Sequence, residues 1–168
     1  MSVEKKTDEN KINLKEIADF LKQTKKQLLV FTGNLSWINL KNKEINLFKC
    51  FENLIKKDIS VKVISRVDLA SFKNIKKLLD LNFKHGKELI EIRHREHPIR
   101  GFISDNKRAR IKEIKEPTGK IDELNEKLFV FYSFNDKEWV EWLSKRFWNL
   151  FSQSIDEKKR MEQMKEFI

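Results

Sequence analysis

One cysteine, Cys50, leaves the 168-residue chain no intramolecular disulfide, which fits a reducing, intracellular setting. Set in the amphipathic stretch FKCFENL, it reads as a small buried apolar group. Two prolines and four glycines exclude a collagen-like, loop-rich or low-complexity chain. No apolar run approaches the roughly 20 residues that cross a bilayer, and the opening MSVEKKTDENK is too polar for a signal peptide. The expected location is cytoplasmic, with no membrane contact. Acidic residues are in deficit, 26 Asp and Glu against 36 Lys and Arg, for a net charge of +10. Such an excess attracts anions generally, nucleic acid and phosphorylated metabolites included. Enrichment in Lys and Glu is equally a habit of heat-adapted proteins.

What the chain does have is aromatic bulk in periodic blocks: thirteen Phe and four Trp supply a core despite the charge. The length suits one domain. Residues 1–12 read as a flexible N-terminal arm, 13–154 as the domain and 155–168 as a helical or disordered tail. Asn13, with Glu16 three residues on, opens a helix with Leu14, Ile17, Ala18 and Leu21 on its apolar face. The unbroken run LLVFTG at 28–33 is the pattern of a strand covered on both faces. A second helix carries Leu47, Phe48, Phe51, Leu54 and Ile55, and VKVISRV at 61–67 is the next strand. Ser71 is expected to cap a third helix that Gly86 stops, with His85 reaching its last carbonyls.

Past Gly86 the texture changes to closely spaced strands at 88–96, 99–104 and 108–114, with a turn at Asp105-Asn106-Lys107. LFVFYSF at 128–134 is a further strand. Asn135-Asp136 then caps a last helix whose Trp139, Trp142, Leu143, Phe147, Leu150 and Phe151 read as one core stripe. The order of elements predicts an α/β fold, a mixed, mainly parallel sheet with helices on both faces.

The segment 93–112, RHREHPIRGFISDNKRARIK, gathers two of the three histidines and seven basic side chains into an expected hairpin. Within it Arg100 and Asp105 stand five apart, and His97 lies three before Arg100. Together with the LLVFTGNLSW strand and loop and the closing helix EWVEWLSKRFWNLF, it resembles a phospholipase D-like half-domain, and in particular the phospholipase D-like module of archaeal TrmB-type regulators. Active members of the superfamily carry His-x-Lys-x4-Asp, a histidine nucleophile, a phosphate-binding lysine and an orienting aspartate. The resemblance puts Arg100 in the place of the lysine and Asp105 in that of the aspartate. The nucleophile's place is Pro98, with His97 one residue early, and the downstream Gly-Ser-x-x-Asn element is missing. The motif is thus degenerate, as it generally is in the TrmB-type module. The residues ahead of Leu28 are too few for a winged helix, so the DNA binding of those regulators does not carry over.

Binding asks less of a site than catalysis, because an arginine can hold a phosphate bidentately without any histidine in register. The expected ligand-binding set is Arg100, Asp105, Lys107 and Arg110, with Trp37 and Asn34 just beyond the carboxyl end of the first parallel strand, where ligands of open α/β sheets bind. A catalytic role would fall to His97, with its mate supplied across a twofold dimer. An Arg100–Asp105 ion pair pinning the hairpin, and a solvated basic strand face, stay open as readings. His94 alternates with Ile90 and Ile92 and reads as a core or edge histidine. No metal and no cofactor are expected, since Cys50 is remote and the two histidines have only Glu96 beside them. The leading expectation is a non-catalytic binding or regulatory module for an anionic, phosphate-bearing ligand or nucleic acid, working as a homodimer. A divergent metal-independent nuclease or phosphodiesterase, and a dimerising interaction protein with a vestigial cleft, are the alternatives.

Overall fold

The computed structural model describes residues 1–6, 13–122 and 125–166. Its elements are β1 (Ser2–Lys6), α1 (Leu14–Lys22), β2 (Gln27–Phe31), α2 (Leu47–Lys56), β3 (Ser60–Ser65), α3 (Phe72–His85), β4 (Ile90–His94), β5 (Arg100–Ser104), β6 (Arg108–Lys115), β7 (Leu128–Phe134), α4 (Lys137–Ser152), β8 (Ile155–Asp156) and α5 (Glu157–Lys165), with a 3-10 turn at Ser36–Asn39. The strands form one sheet in the order β1-β7-β6-β5-β2-β3-β4-β8. Only β2–β3 and β3–β4 are parallel, and every other neighbouring pair is antiparallel. The sheet is therefore mixed, not mainly parallel. Parallel pairing needs a crossover, and among the described residues no helix separates one strand from the next after α3 until β7 is complete.

Helices cover both faces, as the two-sided strands require. In β2, Leu28 and Val30 join the core beneath α1, α2 and α3, whereas Leu29 and Phe31 join the core beneath α4. Phe147 of α4 is fully buried and meets Phe31 edge-on at 5.1 Å. The aromatic stripe of α4 is split, however. Val140, Leu143, Phe147, Leu150 and Phe151 are buried, while Trp139, Trp142 and Trp148 remain 38%, 60% and 37% exposed.

Local chemistry sets the helix ends. Asn13 accepts from the Glu16 amide and Asp136 from the Trp139 amide, as N-caps do. Ser71 stands at the N-cap of α3, its carbonyl accepting from Ile75 N at 3.0 Å, but its side chain makes no cap bond to the helix. The reciprocal box lies one turn earlier, with Asp68 Oδ1 accepting from Ser71 N and Ser71 Oγ from Asp68 N, each at 2.9 Å. Gly86 ends α3 in the left-handed conformation at φ 62°, but His85 faces Glu52 of α2 at 3.6 Å instead of the last carbonyls.

Both termini belong to the sheet. Residues 2–6 of the expected arm pair along β7, with Glu4 reaching Arg110 at 3.5 Å; the rest of the arm, 7–12, lies outside the described residues. The tail adds β8 to the edge of β4, and Met161 and Met164 of α5 pack on the core.

The β5–β6 hairpin turns through Asp105 and Asn106, both with positive φ (55° and 54°), the geometry of a tight turn that Asp and Asn tolerate. The Asp105 carboxylate then accepts three backbone N–H bonds, from Lys25 at 2.8 Å, Lys26 at 2.7 Å and Gln27 at 3.0 Å, where β2 begins. Burial alone would raise its pKa, but these donors outweigh it and hold the carboxyl below its ordinary value. Asp105→Asn leaves one acceptor oxygen and turns an amide NH2 toward the Lys25 N–H. Charged hydrogen bonds of this kind, discounted for partial exposure, make the loss about 1–2 kcal/mol, read as a lower urea midpoint at neutral pH. A variant as stable as the wild type would contradict the clamp.

Candidate anion-binding site

The residues that matter most follow from how the chain gets from β4 to β5. Two strands, β3 and β2, lie between them, so the link 95–99 must cross about 14 Å of sheet, three strand spacings, over the carboxyl ends of both. It is not part of a hairpin. Arg95 N is bonded to Ser65 O at 3.0 Å, and His97 Nε2 to Ile64 O at 3.2 Å. Ile99 packs into the core under α4. Arg100 then points to the opposite face, and its Nη1 reaches back to the carbonyls of His97 at 2.7 Å and Ile99 at 2.8 Å.

Arg100 lines a cleft of about 70 Å³ with Thr32, Trp37, Leu40, Phe102 and Arg110 among its walls. Its guanidinium lies over Gly33, where a Cβ would come within 2.9 Å of Nη2. Gly101 beside it is needed for close packing, since a Cβ there would overlap the Arg110 carbonyl across the β5–β6 pair. Half-buried, Arg100 meets no carboxylate among the described residues. Burial first, and the nearby Arg66 second, lower its pKa, the mark of a cation held without a counter-ion; as a guanidinium it keeps its charge. Trp37 donates Nε1–H to Thr32 Oγ1 at 2.9 Å and packs edge-on to Phe102 at 5.0 Å, giving the cleft an aromatic wall. Its loop turns at Leu35, a buried non-glycine residue in the left-handed region at φ 60°, a local cost that packing must offset.

The expected set is only partly brought together. Arg100, Trp37 and Arg110 share the cleft. Arg110, though, is 4% exposed and already neutralised by Glu16 at 2.8 Å and Glu4 at 3.5 Å. Asn34 shapes the adjoining loop, its Oδ1 accepting from Ser36 N and its carbonyl from Asn74. Asp105 and Lys107 sit at the other end of β5, so no Arg100–Asp105 ion pair pins the hairpin. Arg108, also beyond the turn, holds Phe20 O and Ser104 Oγ, each at 3.1 Å.

Arg66, which acts electrostatically on Arg100, and Arg95 and Arg160, which stand by the two histidines, are cations that the sequence did not single out. Arg66 follows β3, paired to Asp68 at 2.6 Å. Arg95 acts electrostatically on His97, and Arg160 of α5, whose Nε donates to Val67 O at 3.2 Å, acts on His94. Arg66 was discoverable: it stands at the carboxyl end of a parallel strand.

Neither histidine faces this cleft with a free nitrogen lone pair. Because a carbonyl only accepts, His97 Nε2 carries the proton that Ile64 O receives, and its Nδ1 is buried without a partner among the described residues. The ring stands edge-on to Phe31 at 5.8 Å, on the α4 side of the sheet. His94 Nδ1 accepts from Val67 N at 2.9 Å. Among the described residues no three His, Cys, Asp or Glu side chains are placed to hold a metal ion, and no helix is long and apolar enough to cross a membrane.

By sequence, no protein-family model and no curated protein matches the chain. By structure it is similar to Nuc from Salmonella typhimurium, a phospholipase D family member, at a TM-score of 0.63 and 12% identity, over 92% of this chain and 97% of that one. NucT from Helicobacter pylori is similar at a TM-score of 0.60 and 8% identity, over 92% and 97%. TrmBL2, an archaeal chromatin protein with a novel mode of DNA binding, is similar at 0.60 and 15% identity. That match covers 93% of this chain but 54% of TrmBL2, so the chain spans about half the length of that protein. The fold is phospholipase D-like.

Both histidines are held below the ordinary 6.5, chiefly by burial. Arg160 adds to the effect at His94, and Arg100 and Arg95 add to it at His97 against the Ile64 carbonyl. The unfolded chain therefore binds more protons than the folded one just below 6.5. Stability from this source is complete above that pH and is lost as pH falls through it. Glu157, raised by burial, works with the opposite sign above its ordinary 4.5. The urea midpoint should drop between about pH 7.5 and 5, and drop less in a His94→Asn/His97→Asn variant. An equal drop in both proteins would assign the effect elsewhere.

Proposed function

We propose that the protein is a non-catalytic phospholipase D-like binding module that holds a phosphate-bearing ligand or nucleic acid at Arg100 and works as a homodimer. One contrast carries this reading. Arg100 lies half-buried in a cleft and faces no carboxylate among the described residues, while His97, three residues before it, gives its Nε2 proton to the Ile64 carbonyl. A phosphate supplies the paired acceptors that a guanidinium fork lacks here. The Trp37 and Phe102 rings offer an apolar wall to whatever the phosphate is attached to. A histidine nucleophile must present an unprotonated, accessible nitrogen to the phosphorus, but the unprotonated nitrogen of His97, Nδ1, is buried, and its Nε2 is protonated and bonded to Ile64 O. The net charge of +10 favours anionic partners, nucleic acid among them.

Titrations with pyrophosphate and with a short DNA duplex, each at two salt concentrations, test the reading. Arg100→Ala should weaken binding roughly ten- to hundredfold, the value of a desolvated charged hydrogen bond. Lys107→Ala, exposed at the far turn, should cost less than about fivefold. His97→Ala should bind nearly as well as the wild type. Equal, small, salt-sensitive losses at Arg100 and Lys107 would mean a diffuse basic surface. Metal-independent cleavage of a phosphodiester, abolished by His97→Ala, would replace this reading with the enzyme.

A further inference from the structure

Helix α4 has a second face that its own fold leaves uncovered. Opposite the buried stripe, Trp142 is 60% exposed, and Trp139, stacked flat on Phe134 at 3.7 Å, is 38% exposed. At about 100° per residue, Glu138, Trp139, Trp142, Lys145 and Arg146 occupy roughly one third of the helix circumference. All five are exposed. Glu141 meets Lys137 at 3.9 Å, but Glu138, Lys145 and Arg146 have no ion-pair partner among the described residues. An indole pair framed by unpaired charges of both signs calls for a partner surface.

The order of the charges says which partner. Glu138 stands four residues before Trp142 and Arg146 four after; Trp139 stands three before and Lys145 three after. A twofold axis at the level of Trp142, with two copies of α4 antiparallel, keeps each residue on its own side of the seam and so brings Glu138 opposite Lys145, Trp139 opposite Arg146 and Trp142 opposite itself. A twofold contact must be self-complementary, each residue meeting its counterpart in both directions, and this stripe meets that condition at every step. A nucleic-acid strand laid on the same face would instead bring its phosphates beside Glu138, a repulsion.

We propose that α4 is the seam of the homodimer, with two copies packed antiparallel about Trp142, Glu138–Lys145 ion pairs along one side and the Arg146 guanidinium over the Trp139 ring along the other. This rests on the reading that the chain pairs with a copy of itself, and not on the Arg100 cleft.

Sedimentation equilibrium and native mass spectrometry of the full chain test it. The wild type should dimerise, and Trp142→Ala should weaken the dimer at least about tenfold, as loss of a central aromatic anchor does. Glu138→Lys and Lys145→Glu, both at exposed positions, should each shift the protein toward monomer, because like charges then face each other twice. Mixing these two variants should restore dimers, and only mixed ones, since every contact in a mixed pair is again of opposite sign. A wild type still monomeric at roughly 100 µM would overturn both the dimer and the seam. A dimer indifferent to all three substitutions would leave dimerisation standing and overturn this seam. A monomer whose binding of a single-stranded oligonucleotide falls in Trp142→Ala would make the surface a stacking platform and overturn the proposal.

Discussion

Strand β5 hydrogen-bonds along β2 and not along β4, its predecessor in sequence. That pairing obliges the link 95–99 to cross the ends of β3 and β2, and the bonds that the Ser65 and Ile64 carbonyls accept from Arg95 N and the His97 ring fix where it lies. From this crossing follow the burial of His97 against Phe31, the seating of Ile99 under α4 and the turn of Arg100 toward the opposite face. The hairpin that makes the pairing possible is itself fastened to the start of β2 through Asp105. One end of β5 thus anchors the sheet, and the other faces the cleft.

The electrostatic pattern has the same origin. Arg110 and Asp105, both inside the cationic segment, have their charges answered within the fold, by carboxylates in one case and amide donors in the other. Among the described residues, Arg100 is answered only by carbonyls. Carbonyl oxygens orient a guanidinium but leave its net charge uncompensated, so an anion that enters the cleft meets a preoriented partner at small reorganisation cost. The contrast between these arginines, more than the net charge of the chain, distinguishes a site from a basic surface.

Much of this fold is legible in the residues. The strands of LLVFTG and VKVISRV declare themselves because alternate side chains serve two cores, LFVFYSF by its unbroken apolar run, and the Asp-Asn pair marks a tight turn by its tolerance of positive φ. Ser2–Lys6 is not legible: SVEKK has no apolar alternation of its own and becomes a strand because β7 offers a free edge. Nor is the orientation of His97. Two neighbouring strand signals, 88–96 and 99–104, suggest a hairpin, and only the three-dimensional choice of β2 as partner for β5 separates them. The donors that hold Asp105 lie 78 to 80 residues away in sequence, a distance that no local pattern records. The tryptophans of α4 share the spacing of the core stripe, which conceals that they flank it.

The central claim is that this edge of the sheet presents an arginine to an anion while withholding its histidine. Nitrogen-15 resonances of the His97 ring and the Arg100 guanidinium, followed through a pH series and a pyrophosphate titration, test it most directly. The account predicts that His97 stays the neutral Nε2–H tautomer through neutral pH and is unmoved by pyrophosphate, while the Arg100 Nε–H signal shifts and saturates. A His97 ring that protonates near its ordinary pKa and moves with pyrophosphate, beside an unresponsive Arg100, would contradict it.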